Sequence, residues 1–135
     1  MAVVDDLVVL PPFAGIDRSL LETLTKYAQE LDVPAGTELT HEGRHEGSVF
    51  IIVSGSIAIE RGGRTVDTID QGGFFGEIAA IDGGPRTATG RALTDSRVVV
   101  LSPRQLNDVL DASPELRTMV MKAMDERLQR IDAGT

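Results

Sequence analysis

A mainly β fold, an antiparallel barrel or jelly roll flanked by helices, is what this sequence predicts, and three observations predict it. From Leu31 to about Leu101 the chain breaks roughly every 7–12 residues at turn formers. Short runs rich in β-branched and aliphatic residues fill the intervals. Outside that stretch the apolar residues recur at helical spacing instead.

Taken in order, Asp17 can cap a first helix whose Leu20, Leu21, Leu24, Tyr27 and Ala28 share one apolar face. Turns follow at Pro34-Ala35-Gly36, Glu42-Gly43, Glu46-Gly47, Gly55, Gly62-Gly63, Gln71-Gly72-Gly73 and Gly83-Gly84-Pro85. Between them lie the expected strands Ser48–Val53, Ser56–Glu60, Thr65–Ile69 and Arg97–Leu101. Ser102-Pro103 and Ser113-Pro114 then each set a capping hydroxyl before a proline at the first helical position. The second of these opens a helix with Leu116, Val120, Met124, Leu128 and Ile131 on one stripe. No linker, repeat or low-complexity tract divides the chain. The reading is one domain over residues 1–135, with a barrel near 31–101 and helices near 103–131.

Composition narrows the function. Thirteen basic residues are scattered among 21 acidic ones, for a formal charge of −8, which argues against a nucleic-acid partner. Four Phe, one Tyr and no Trp leave little surface for base stacking. The opening Met1–Leu10 carries Asp5 and Asp6 and no positive flank, so it is not a secretory signal, and no run is apolar enough to span a bilayer. The absence of Cys removes disulfides and thiol chemistry and fits a cytoplasmic location. His41 and His45, four apart in a predicted turn, lack the further ligands of a metal-binding barrel, and no nucleophile elbow is present. These features exclude a metal site and an enzyme as first readings.

If so acidic a chain binds an anion, it must do so with a local device. Residues 72–89 supply one. Gly72, Gly73 and Gly76 precede a helix-compatible run, Glu77-Ile78-Ala79-Ala80-Ile81, whose first backbone N–H groups would be unpaired and approachable. Gly83-Gly84-Pro85 then turns the chain and delivers Arg86, the only basic residue between Arg64 and Arg91. A guanidinium can bond two phosphate oxygens at once. Glu77 suits a sugar hydroxyl better than the anion, and Thr87 adds a hydroxyl beside Arg86. The plainer alternative is a barrel corner with Arg86 and Glu77 as a solvent-exposed ion pair.

The stretch FGEIAAIDGGPRTAT at 75–89 resembles the phosphate-binding cassette of the cyclic nucleotide-binding domain family, which includes catabolite activators, kinase regulatory subunits and nucleotide-gated channels. The similarity extends from about residue 13 to 131 and takes in PAGTELTHEG, VFIIVSGSIAI and RALTDSRVVVLSPRQLNDVL. The resemblance implies a double-stranded β-helix with an N-terminal helix, a short cassette helix and C-terminal lid helices. It implies cAMP or cGMP as the ligand, cAMP favoured, and no metal. By similarity Glu77 accepts the ribose 2′-OH, Arg86 binds the exocyclic phosphate oxygens, Thr87 gives a hydroxyl to phosphate or base, and Gly76 admits close backbone approach. Ala79 and Ala88 offer backbone N–H groups, with Phe75, Ile78 and Pro85 completing the cassette. Ile59 and Val66 fall where they would line the purine. Ala80, where the family often has Leu, and the short Gly83-Gly84 turn are minor departures.

The run MDERLQRID at 124–132 is similar to the lid helix of nucleotide-gated channels, which makes Arg127 the first candidate to cover the base, with Arg130 and Ile131 close behind. The plainer alternative has Arg127 and Arg130 on a solvated face while Leu128 and Ile131 pack on the barrel. With no effector domain after Thr135, the expectation is a stand-alone sensor that signals to a separate effector protein or as a homodimer. The rival within the same fold is a barrel that has lost binding and serves protein–protein contact.

Overall fold

The computed structural model describes residues 28–76 and 85–115, together with 18, 19, 22, 117, 118, 121, 122, 125 and 126. Among the described residues, eight strands are arranged as two four-stranded antiparallel sheets. They are β1 (Gln29–Val33), β2 (Glu38–Thr40), β3 (Val49–Ser54), β4 (Ser56–Arg61), β5 (Arg64–Asp70), β6 (Phe74–Phe75), β7 (Thr89–Ala92) and β8 (Ser96–Leu101). One sheet runs β1-β8-β3-β6 and the other β2-β7-β4-β5, so neighbours in space come from distant parts of the chain. This is the expected jelly roll.

The core lies between the sheets. Phe50 and Ile52 of β3, Ile57 and Ile59 of β4, Phe75, Ala92 and Val98 form one cluster, with Val66, Ala88 and Val100 packed against it. Strand alternation turns Val99 and Leu101 to the opposite face of β8. There α1 (Pro103–Ala112) lies on the strand and buries Leu106 and Leu110, one turn apart. The expected start of α1 is present as a reciprocal cap: Gln105 N–H donates to Ser102 Oγ at 3.1 Å and Ser102 N–H to Gln105 Oε1 at 2.8 Å.

The ends of the four expected strands lie within one residue of the expected runs, and the first strand begins at Gln29. Strands β1, β2, β6 and β7 are additions to that reading. The β4–β5 hairpin turns on Gly62 and Gly63, both at positive φ (60° and 80°), the backbone a two-residue hairpin requires. Among the described residues no helix is long and apolar enough to cross a membrane.

Candidate functional site

Arg86 is the only charged side chain buried among the described residues, at 4% exposure. A buried cation in a protein interior needs acceptors around it. Three segments meet around it, two of which supply the acceptors. Strand β6 pairs Phe75 with Phe50 of β3, which sets Gly76, the next residue, beside the start of β3. The loop 41–48 joins β2 to β3 and runs alongside residues 85–90. Arg86 itself follows Pro85 on the approach to β7.

Backbone bonds knit the last two together. Arg86 N–H donates to Arg44 O at 2.7 Å and Gly43 N–H to Arg86 O at 2.9 Å. Thr40 Oγ1 donates to Ala88 O at 3.2 Å and accepts from Gly90 N–H at 2.8 Å, while Glu42 N–H donates to Thr89 Oγ1 at 3.0 Å. Arg86 therefore sits on a fixed backbone.

Its guanidinium is held as firmly. Nη2 donates to Ser48 O at 2.7 Å and to Glu46 Oε2, and Nη1 donates to Gly76 O at 3.2 Å. The Phe50 ring lies beneath, 6.0 Å from Arg86 Cζ to its centroid, and Phe75 stacks on Phe50 at 5.0 Å. Three hydrogen bonds leave donors over, and among the described residues the buried Nε–H has no partner. Arg91 makes a useful contrast. It lies half-exposed between Glu38 and Glu60 at 3.3 Å from each, a surface network without a spare buried donor.

Glu46 is the carboxylate the sequence reading missed, having been read only as part of a turn. Its Oε1 accepts from Ser48 N–H at 2.7 Å while Oε2 faces Arg86, so both oxygens are occupied. Partial burial pushes this carboxyl up, but hydrogen bonds from Ser48 and Arg86, with the Arg86 charge, outweigh it and hold the group below its ordinary 4.5. A depressed carboxyl stabilises the fold above its unfolded value, and that stability is lost as pH falls through the folded value. Acid titration of wild type and Glu46→Gln should therefore show a stability gap that is full above about pH 5 and narrows progressively as the pH falls below it. Parallel curves would show that the pair carries no net stability.

The structure thus brings together Phe75, Gly76, Arg86 and Ala88 of the expected residues and adds Glu46, Ser48 and Phe50. Arg86 is not half of an exposed pair: it is buried and bridged to Glu46. Pro85 is exposed and Thr87 half-buried next to it. Ile59 and Phe75 are core residues, and Val66 and Ala88 pack on the same cluster. Glu77, Ile78, Ala79, the cassette helix, Arg127 and the lid stripe lie outside the described residues. The fit to a phosphate is nonetheless testable here: a rigid buried guanidinium with an unpaired Nε–H suits an anionic oxygen.

Comparison with known proteins gives the family. The family described as cyclic nucleotide-binding domain matches residues 30–113, which include Glu46 and Arg86. The chain is 31% identical over 123 residues to a CRP-like cAMP-activated global transcriptional regulator of Mycobacterium tuberculosis, covering 87% of this chain and 55% of the regulator. Among solved structures, the regulatory domain of Toxoplasma gondii PKA with cAMP superposes with a TM-score of 0.74 at 26% identity, over 87% of this chain and 49% of that one. The catabolite activator protein of Thermus thermophilus gives a TM-score of 0.75 at 22% identity, over 92% and 61%, a likeness of fold. The chain belongs to the cyclic nucleotide-binding domain family.

Proposed function

We propose that this domain binds a cyclic nucleotide monophosphate, cAMP in preference to cGMP, and reports it to a separate effector protein or a second copy of itself. The observation that carries the reading is Arg86, buried and held by three acceptors with its Nε–H unpaired. In this reading Arg86 takes the phosphate, Thr87 gives its hydroxyl to the phosphate or the base, and Glu77 takes the ribose 2′-OH. Backbone N–H groups of Ala79 and Ala88 complete the anion site, reached past Gly76. Ile59 and Val66 lie under the base, and Arg127 covers it from the lid. The preference for cAMP draws on the relatives whose names carry that ligand. The formal charge of −8 supports ligand sensing rather than nucleic-acid contact as the part these residues play.

A second reading takes support from the Glu46 contact, since Arg86 already has a counter-charge within the fold. In that case the barrel is a protein–protein module. Calorimetric titration with cAMP and cGMP separates the two. The expected result is binding at micromolar concentration or tighter, with cAMP ahead. A folded protein that takes up neither nucleotide would establish the second reading instead.

A further inference from the structure

We propose that Glu46 makes the site selective for a singly charged phosphate and thereby rejects linear, doubly charged mononucleotides. The inference rests on the cyclic nucleotide reading above and deepens it. Glu46 and Arg86 together present no net charge, because the carboxylate already answers the guanidinium. The Arg86 side chain is 3% exposed and that of Glu46 49%, so the carboxylate stands at the mouth of the site with the cation behind it.

Ser48 N–H on Oε1 and Arg86 on Oε2 keep Glu46 from swinging away. A phosphate drawn to the Arg86 guanidinium therefore arrives beside a fixed negative charge. A cyclic monophosphate is a diester with one negative charge, which the shared guanidinium can accommodate. A linear monophosphate carries nearly two at neutral pH and gains a second charge with no further cation to meet it. Repulsion between unit charges a few ångströms apart near a protein surface is enough to decide between the two. The consequence is recognition of the intact ring over its hydrolysis product by charge as well as by shape.

The test compares three adenosine 5′-phosphates at pH 8: cAMP, 5′-AMP, and the monomethyl ester of 5′-AMP, which is acyclic yet singly charged. Wild type should bind the methyl ester at least about tenfold more tightly than 5′-AMP. In Glu46→Gln, whose amide oxygen can still accept from Ser48 or Arg86, that gap should close to within about threefold as the affinity for 5′-AMP rises. Equal binding of ester and 5′-AMP by wild type would overturn the proposal without any variant. A gap that survives Glu46→Gln unchanged would overturn it too, showing that shape decides. Failure of wild type to bind cAMP at all would instead remove the function on which the proposal stands.

Discussion

Replacing Arg86 with Ala is expected to lower the affinity for cAMP by about 30- to 1000-fold, or ~2–4 kcal/mol, because a desolvated phosphate charge loses its cation. The same change strips the donors from Ser48 O, Gly76 O and Glu46, so the fold itself should lose about 1–3 kcal/mol. The two effects are separable: urea melts read the second, and titration well below the melting range reads the first. Arg86→Lys should fall between, since an ammonium keeps the charge but cannot span three acceptors with a planar fork. A folded Arg86→Ala protein that binds cAMP like wild type would place the phosphate elsewhere.

Gly76→Ala is expected to be nearly as damaging, although it removes nothing. Gly76 has φ +95°, and a Cβ built there lies 2.5 Å from Ser48 O and 2.7 Å from Arg86 Nη1. Neither atom is free to retreat, for Ser48 O is backbone at the start of β3 and Nη1 is bonded to Gly76 O. The left-handed conformation and the overlap together should cost about 2–4 kcal/mol of stability, with at least about a tenfold loss of cAMP affinity. Gly36→Ala is the control. Its φ is also positive, +90°, but nothing lies within 4 Å of the added Cβ, so only the backbone strain remains. If the two variants melt alike, the crowding at Gly76 is not what matters.

The sequence made the barrel legible wherever geometry is enforced locally. Gly36, Gly43, Gly55, Gly62, Gly63 and Gly72 all adopt positive φ, so the punctuation that marked the turns was conformational. Strands β3, β4, β5 and β8 stood out because their apolar side chains fill the core. The missed strands are those defined by partners rather than by composition. Thr89–Ala92 reads as TGRA, a loop by propensity, and is a strand because β2 and β4 flank it. Gly90 there faces the Phe75 ring, where an added Cβ would come within 2.7 Å.

The site divides in the same way. Gly76, Pro85 and Arg86 carry a contiguous signature that sequence can show. Glu46 and Ser48 meet Arg86 across about 40 residues of chain, through a loop whose composition says only that it turns. What pointed to them in principle was charge: a buried arginine in so acidic a chain must find an acid somewhere.

The knitting of loop 41–48 to residues 85–90 bears on how the domain could be modified. Surface loops ordinarily tolerate inserted residues, but a single addition between Gly43 and Ser48 would put the Arg86 backbone bonds and the Glu46 contact out of step. Its length is a specification. A dye or a fused reporter belongs instead at the exposed Pro34–Gly36 turn, whose hydrogen bonds to the rest of the barrel run to Ala92 and Asp95 rather than to Arg86 or Glu46.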